Sequence, residues 1–164
     1  MIEAQEQRIF VGLGANLGDA RATVIKAMNE LAHLPQTRLK ACSSLYRSAP
    51  RDAQGPDFIN AVAEVSTGLQ PLVILAQLQR IEDHHGRARP YRNAPRTIDL
   101  DLLLWGSMVL QTPQLTLPHP RLHQRAFVLR PLAELAPELE LPGLGLIGDW
   151  LGAVSDQRIE VLSP

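Results

Sequence analysis

Two aspartates in the segment Pro95-Arg96-Thr97-Ile98-Asp99-Leu100-Asp101 have the spacing of a metal site. Successive side chains of a β-strand point to opposite faces, so Asp99 and Asp101 share one face, and the core face takes Ile98, Leu100, Leu102 and Leu104. The two aspartate Cα atoms would lie about 6.7 Å apart, which allows the carboxylates to bracket a pair of divalent ions. Carboxylate oxygens are hard ligands, so Mg²⁺ is the expected ion. Asp-x-Asp alone would favour a solvated strand face instead.

Arginines around this pair favour the metal site. The protein has a formal net charge of −1, yet the segment from Arg80 to Arg130 contains eight arginines and four acids, a net +4. A protein that coats nucleic acid is usually basic overall, so no nucleic-acid partner is expected. Guanidinium groups match phosphate oxygens bidentately. The cluster therefore predicts a small phosphorylated ligand, and together with the two acids it predicts a metal-bound polyphosphate.

Other motifs in the sequence are weaker. Gly12-Leu13-Gly14-Ala15-Asn16-Leu17-Gly18 has one residue too many for the dinucleotide-binding pattern G-x-G-x-x-G and lacks its downstream acid, so a tight strand-to-helix turn is favoured. The sequence contains no P-loop pattern G-x-x-x-x-G-K-[ST]. His119 and His123 have the spacing of a zinc-binding helix, but the prolines beside His119 disfavour a helix there, and a contact of His119 with phosphate is preferred.

The hydrophobic pattern predicts strands and helices in the order β-α-β-β-α-β. Strands are expected at residues 8–12, 39–46, 58–65 and 98–105, and helices at residues 20–34, capped by Asp19, and from Pro71 to a stop at Gly86. The proline-rich stretch 113–142 is expected to be mostly irregular, with one short helix near residues 129–135. This order predicts an α+β fold, a ferredoxin-like split βαβ sheet with helices packed on one face and additional C-terminal segments. One domain, residues 1–164, is expected.

The composition excludes several classes of protein. The 164 residues are 45% hydrophobic and 20% charged, which is too apolar for a disordered chain, and no apolar run is long enough to span a membrane. The single cysteine, Cys42, excludes an internal disulfide framework and a cysteine-cluster zinc site. The acidic N-terminus has no hydrophobic signal region, which predicts a cytoplasmic protein.

Several motifs occur in the order typical of one enzyme family. They are Gly14-Ala15-Asn16-Leu17-Gly18-Asp19, Ser44-Leu45-Tyr46-Arg47-Ser48, Phe58-Ile59-Asn60-Ala61, Gln79-Arg80-Ile81-Glu82, Gly86-Arg87-Ala88-Arg89, the Pro95–Asp101 segment, Pro118-His119-Pro120-Arg121 and Arg125-Ala126-Phe127. Together they span nearly the whole chain. The sequence thereby resembles the 6-hydroxymethyl-7,8-dihydropterin pyrophosphokinase family of folate biosynthesis.

The resemblance implies transfer of pyrophosphate from ATP to the pterin hydroxymethyl group, with release of AMP. It implies that Asp99 and Asp101 bind two Mg²⁺ ions and that Arg87 and Arg96 act on the phosphates in catalysis. The ATP-binding residues implied are Gln79, Glu82, Arg87, Arg89, Arg96, Thr116, His119 and Arg125. The pterin-binding residues implied are Ser48, Ala49, Phe58, Asn60 and Phe127. A monomer without a membrane partner is expected.

Two of these residues are assigned differently by the sequence pattern alone. Phe58 and Phe127 are each expected in the core on their hydrophobicity, whereas the resemblance implies that they sandwich the pterin ring. Asn60 shares a strand face with Phe58, and its amide could bind the edge of a heterocycle. The chain also departs from the family at Asn93 and Ala94, where a Trp-Gly pair is frequent.

Two alternative functions remain from the residues. Another Mg²⁺-dependent nucleotidyltransferase or phosphohydrolase could use the same aspartate pair. A non-enzymatic RNA-binding module could be built on the same ferredoxin-like plan, but it would need aromatic side chains exposed on its central strands, where this sequence has Asp99 and Asp101.

Overall fold

The computed structural model describes residues 6–50, 55–86 and 97–162, which form one six-stranded sheet and two short two-stranded ribbons. The strands are β1 (Gln7–Ala15), β2 (Thr37–Cys42), β3 (Tyr46–Ser48), β4 (Phe58–Thr67), β5 (Asp99–Trp105), β6 (Leu110–Gln111), β7 (Thr116–Leu117), β8 (Glu140–Leu141), β9 (Gly145–Leu146) and β10 (Ile159–Val161). The helices are α1 (Ala20–Leu31), α2 (Pro71–His85), α3 (Ala126–Leu135) and α4 (Gly148–Leu151), with 3₁₀ turns at Leu122–Gln124 and Gly152–Val154.

The large sheet is antiparallel and has the strand order β10-β3-β4-β1-β5. Strands β2 and β3 pair with different halves of β4. Strand β4 therefore lies between β1 on one side and β2 and β3 on the other. Strand β5 pairs with the other side of β1. This is the split βαβ arrangement, and the predicted α+β fold is confirmed.

One face of the sheet packs against α1 and α2, as predicted. The side chain of Asp19 caps α1 by accepting a hydrogen bond from the Ala22 N–H at 3.1 Å. Helix α1 ends at Leu31, three residues earlier than predicted, because the next N–H groups, of Ala32, His33 and Leu34, donate three residues back instead of four, which is a 3₁₀-type turn. Helix α2 has Pro71 in its first turn and Gly86 as its C-cap, so both of its predicted limits are confirmed.

The other face of the sheet packs against α3 and the C-terminal segments, which form a second hydrophobic core. The pairing of β1 with β5 shifts by one residue, because Phe10 is opposite Leu104 whereas Val11 is opposite Leu102. Leu103 is therefore an extra residue in β5, and both Leu103 and Leu104 lie in the second core. The prediction that Leu104 shares the core face of Leu100 and Leu102 is wrong, since strict alternation does not survive a bulge.

The predicted strand 39–46 is interrupted at Ser43. The Ser43 hydroxyl oxygen accepts a hydrogen bond from the Val62 N–H at 2.9 Å, where a regular strand would present a backbone carbonyl. A side chain that replaces a backbone partner ends the ladder locally. Two shorter strands, β2 and β3, result.

The glycine-rich segment after residue 11 is only partly the turn that was predicted. Gly12 and Gly14 lie inside β1, which continues to Ala15. The turn itself follows at residues 16–19, where Gly18 has a φ of 58° that glycine adopts without strain.

The C-terminal part of the described chain has more structure than predicted. Helix α3 starts at Ala126, ahead of the predicted helix at residues 129–135, and β10 adds a strand to the large sheet. Within residues 6–50, 55–86 and 97–162, no helix is both long enough and apolar enough to cross a membrane.

The Asp19 cap can be tested by substitution. Asp19→Ala removes the carboxylate that accepts from the Ala22 N–H and should lower the free energy of unfolding by about 1 kcal/mol. Asp19→Asn is the matched control, because asparagine caps a helix about as well. Urea unfolding of both variants measures the difference, and equal stability of Asp19→Ala and the unsubstituted protein would contradict the assignment.

Candidate active site

On the face of the sheet that packs against α3, strand β1 presents two residues without side chains. Gly14 is opposite Asn60 of β4 on one side and opposite Asp99 of β5 on the other. Gly12 is opposite Asp101, which also belongs to β5. Directly paired residues share a face, so Asn60 and Asp99 project on the same side of the sheet, separated by two strand spacings or about 10 Å. The glycines form a floor between an amide and two carboxylates.

A cavity of about 470 Å³ lies above this floor. That volume is within the range of about 300–1,000 Å³ that is usual for small-molecule sites. The cavity is lined by Gly12, Leu13, Gly14, Ser48, Ala49, Pro50, Phe58, Asn60, Ala61, Asp99, Asp101, Arg121, Gln124, Arg125, Phe127 and Val128.

All five residues predicted for the pterin line the cavity. Phe58 and Asn60 come from β4, Ser48 and Ala49 from the end of β3, and Phe127 from α3. The buried Asn60 amide donates from Nδ2 to the Ser48 hydroxyl at 2.7 Å, which fixes the orientation of the amide. Phe58 and Phe127 are both half-buried and line the cavity, rather than being fully enclosed in a core as their hydrophobicity alone predicts.

The N-terminus of α3 forms the wall of the cavity opposite the sheet. Arg125 is the N-cap residue of this helix, but its side chain makes no capping hydrogen bond. Its guanidinium carbon lies 5.4 Å from the centre of the Phe127 ring, close enough for a cation–π interaction. A cation and an aromatic ring are thereby held together at the same edge of the site.

The far end of α3 is held to the sheet by the carboxylate of Glu134. This carboxylate accepts hydrogen bonds from the Tyr46 hydroxyl at 2.5 Å, from the Ser44 N–H at 3.0 Å and from the Ser44 hydroxyl at 3.1 Å. Burial raises the pKa of Tyr46, and the adjacent Glu134 carboxylate raises it further, so the phenol remains a donor. These contacts explain the Ser44–Ser48 motif, since two of its residues anchor α3 and Ser48 lines the cavity.

Asp99 and Asp101 share one face of β5, as the strand alternation predicted, and both are half-buried and line the cavity. In the described part of the chain no group of three or more histidine, cysteine or acidic side chains could hold a metal by itself. Two carboxylates with space for further oxygen ligands fit Mg²⁺, which commonly takes one or two carboxylates together with substrate phosphates and water. Arg121 and Arg125 line the same cavity and match phosphate oxygens.

His119 lies next to this site but does not line the cavity. Its backbone N–H donates to the Leu103 carbonyl at 2.9 Å, and its Nδ1 accepts from the Arg121 N–H at 3.2 Å. Burial lowers the pKa of His119 below the usual value; Asp101 acts in the opposite direction, and Arg125 acts in the same direction as burial. An imidazole that accepts at Nδ1 and stays neutral carries its proton on Nε2, where it can donate to a ligand.

Three other predicted ATP-binding residues lie outside the cavity lining. Gln79 is exposed on α2, and Thr116 is half-buried on β7. Glu82 is buried, and its Oε2 accepts a hydrogen bond from the N–H of Leu100 at 2.9 Å. Because Leu100 separates the two aspartates along β5, this contact holds the backbone that carries them.

The remaining predicted residues fall outside the described part of the chain. These are the catalytic and ATP-binding residues Arg87, Arg89 and Arg96, together with the departure from the family at Asn93 and Ala94.

Two polar side chains that line the cavity, those of Arg121 and Gln124, were missed by the sequence analysis. Arg121 ends the quoted Pro118–Arg121 motif, and the local excess of arginine was a signal that could have identified it. Gln124 carries no comparable signal in the sequence. The alternative zinc site is not favoured either, because the ring of His123 packs edge-on against Trp150 with 4.8 Å between ring centres.

Comparison with known proteins shows the family of the chain. The sequence model of the family described as 7,8-dihydro-6-hydroxymethylpterin-pyrophosphokinase (HPPK) matches residues 10–137. The chain is 46% identical over 157 residues to a 2-amino-4-hydroxy-6-hydroxymethyldihydropteridine pyrophosphokinase of Pseudomonas aeruginosa, covering 95% of this chain and 97% of the relative. It is 40% identical over 156 residues to the enzyme of the same name from Haemophilus influenzae, covering 94% and 98%.

Solved structures of Plasmodium falciparum HPPK-DHPS share the fold. One of them, the wild type with pteroate, superposes with a TM-score of 0.74 at 14% identity and covers 93% of this chain. The chain spans 43% of the length of that protein. By the family match and by its identity to full-length relatives, the chain belongs to the 7,8-dihydro-6-hydroxymethylpterin-pyrophosphokinase family.

Proposed function

We propose how the residues of this chain carry out the reaction of its family. The reaction transfers pyrophosphate from ATP to the hydroxymethyl group of 6-hydroxymethyl-7,8-dihydropterin, in folate biosynthesis. The observation that supports this most directly is the pairing of Gly14 with Asn60 on one side and Asp99 on the other. It gives one cavity an amide for a heterocycle and carboxylates for a metal-bound phosphate.

The pterin occupies the half of the cavity between β4 and α3. Phe58 and Phe127 stack on the two sides of the ring, an arrangement that aromatic faces favour. The Asn60 amide binds the edge of the ring, with its orientation fixed by Ser48. Backbone groups around Ser48 and Ala49 complete the contact.

The nucleotide occupies the half of the cavity bounded by β5 and the arginines. Asp99 and Asp101 hold two Mg²⁺ ions, which when bound neutralise phosphate charge and orient the reacting groups. Arg125 contacts the phosphates from α3. Arg87, Arg89 and Arg96 are assigned to the phosphates on the resemblance to the family, as are Gln79 and Thr116 to other parts of ATP.

Two residues act beside the phosphates without lining the cavity. Glu82 contributes through Leu100, by holding the backbone between the two aspartates. His119 donates from Nε2 to the nucleotide as a neutral imidazole, since burial disfavours its charged form.

The reaction needs positioning more than covalent chemistry by the protein. The pterin hydroxymethyl oxygen bonds to the β-phosphorus while the bond from that phosphorus to the α-phosphate oxygen breaks, so AMP leaves and the hydroxyl proton is released. The floor of Gly12 and Gly14 lets the two substrates approach one another above the sheet. Arg125 stabilises the charge on the phosphate oxygens during transfer.

The identity of the products tests this function against the alternatives. With ATP, the hydroxymethyl pterin and Mg²⁺, the protein should form AMP and the pterin diphosphate, and chelation of the metal should stop the reaction. A nucleotidyltransferase would instead release inorganic pyrophosphate, and a phosphohydrolase would form ADP or phosphate without consuming the pterin. Either result, measured by chromatography of the nucleotides and pterins, would overturn the proposal.

Asp99→Asn and Asp101→Asn should each lower kcat by about a thousandfold, because a neutral amide cannot replace a metal-binding carboxylate. Both variants should keep the thermal unfolding midpoint of the unsubstituted protein within a few degrees, since neither side chain lies in a core. Asp83→Asn, on the exposed side of α2, is the control and should keep full activity. An unchanged rate for either cavity variant would refute the metal assignment.

The floor of the cavity can be tested at Gly14. A Cβ on this residue would come within 3.1 Å of the Asn60 Oδ1, so Gly14→Ala should displace the amide and lower kcat/KM for the pterin by about ten- to a hundredfold. Gly12→Ala is the comparison in the same strand, because its Cβ would make ordinary contacts with Leu103. Equal kinetics for the two variants would argue against recognition by Asn60.

The pKa of His119 can be measured by NMR titration of the metal-free protein, with His119→Asn used to assign the resonance. It should lie below the usual value of about 6.5. Asp101→Asn should lower it further, because an attractive charge is lost, and Arg125→Gln should raise it. A folded-state pKa below that of the unfolded chain makes the unfolded state bind more protons in this window, so stability decreases as pH falls through it. Opposite shifts in the variants would contradict this arrangement of charges.

A further inference from the structure

Helix α3 begins without a capping side chain of its own. An N-cap position is usually occupied by serine, threonine, aspartate or asparagine, whose side chain accepts from the first free N–H groups. Here the position is occupied by Arg125, which makes no such hydrogen bond. The start of the helix also borders the cavity, so it has no continuous apolar packing on that side.

The missing cap is supplied from the C-terminal segment by Gln157, a residue with no role in the family motifs. Its Oε1 accepts a hydrogen bond from the Ala126 N–H at 2.9 Å, and its Nε2 donates to the Gln124 carbonyl at 2.8 Å. Gln157 is itself held in a turn, because its backbone N–H donates to the Val154 carbonyl at 3.0 Å. One primary amide thus binds the backbone on both sides of Arg125.

The position of this amide links it to the chemistry of the site. Arg125 lies between the two bonded residues, and Phe127 follows Ala126 directly, so the backbone that carries both side chains into the cavity is fixed at two points. Apolar packing of α3 on the sheet is not directional and by itself opposes small rotations and shifts of the helix start only weakly. Two hydrogen bonds of defined geometry remove that freedom.

We propose that Gln157 is a positioning residue of the transfer reaction, which caps α3 from outside the helix and thereby sets the places of Arg125 and Phe127 in the cavity. This inference rests on the proposed roles of those two side chains. It gives the segment from α4 to β10 a function in a reaction whose other residues all precede it in the chain.

Three substitutions separate this role from general stability. Gln157→Leu keeps most of the side-chain volume and removes both hydrogen bonds. Gln157→Glu keeps an acceptor for the Ala126 N–H, and its charge is favourable at a helix N-terminus, but it cannot donate to Gln124. Ser155→Ala is the matched control, because it removes a hydrogen bond of 2.8 Å to Gly152 in the same segment.

Kinetics of AMP formation are measured for each variant at a temperature where all are folded. Gln157→Leu should lower kcat/KM for the pterin by about tenfold, and Gln157→Glu should recover part of that loss. Ser155→Ala should behave as the unsubstituted protein. Equal rates for Gln157→Leu and the unsubstituted protein, or equal losses for Gln157→Leu and Ser155→Ala, would overturn the proposal.

A double-mutant cycle distinguishes positioning from a uniform loss of stability. In a Phe127→Leu background the further substitution Gln157→Leu should raise the Kd of the pterin much less than it does alone, because the ring that it positions is absent. Pterin binding is measured by fluorescence titration with an ATP analogue that has a methylene between its α- and β-phosphates. Additive effects would contradict a role through Phe127.

Hydrogen exchange, measured without substrate, tests the cap independently of the proposed function. Hydrogen exchange of the Ala126 amide should be at least about tenfold faster in Gln157→Leu than in the unsubstituted protein or in Ser155→Ala. An unchanged exchange rate would refute the cap itself. If the unsubstituted protein formed no AMP while the exchange result held, the proposed function would fail and with it the catalytic part of this inference, but not the cap.

Discussion

The antiparallel register of β1 with its two neighbours is the constraint on which the site depends. Because Gly14 pairs with Asn60 on one side and Asp99 on the other, the group assigned to the pterin and a group assigned to the metal lie in one row across the sheet. Their separation is set by strand spacing, which side-chain rotation cannot change. A shift of β4 or of β5 by one residue against β1 would turn the side chain of that strand, Asn60 or Asp99, to the opposite face.

The same strands also explain why the cavity has room. Beyond the glycines, Phe10 of β1 and the bulged pair Leu103 and Leu104 fill the space between the sheet and α3. The bulge brings Leu104, in addition to Leu103, to the face of β5 that carries Asp99 and Asp101. That face therefore has carboxylates at one end of the strand and two apolar side chains at the other. The second core thereby supports α3 without closing the space above Gly12 and Gly14.

Strand alternation and charge clustering were sufficient to predict the part of the site that depends on local sequence. The Asp99 and Asp101 side chains share a non-core face because the backbone there is regular, and the helix limits at Asp19 and Pro71 follow from local capping chemistry. Alternation failed at Leu104, because a bulge depends on how β5 pairs with β1 and not on β5 alone.

What the sequence could not predict depends on contacts between distant segments. Phe58 and Phe127 are hydrophobic in any local reading, and only the resemblance to the family gave them another role. Glu134 and Gln157 had no local signal, because each bonds to groups that are far from it in sequence. The resemblance likewise assigned Glu82 to ATP, whereas its contact with Leu100 is a property of the fold.

The two walls of the cavity are held in place by different kinds of contact. The two walls therefore respond differently to substitutions. The wall formed by β1, β4 and β5 is fixed by backbone ladders, so the distance between Asn60 and Asp99 is insensitive to most side-chain changes. The wall formed by α3 is fixed by side chains at its two ends, Gln157 at the first turn and Glu134 at the last. Under the proposed function, substitutions at those ends change the fit of the pterin ring at Phe127, while the row from Asn60 to Asp99 keeps its spacing. The backbone ladder therefore fixes the spacing between Asn60 and the two aspartates, whereas side-chain contacts at the ends of α3 set the places of Phe127 and Arg125 in the cavity.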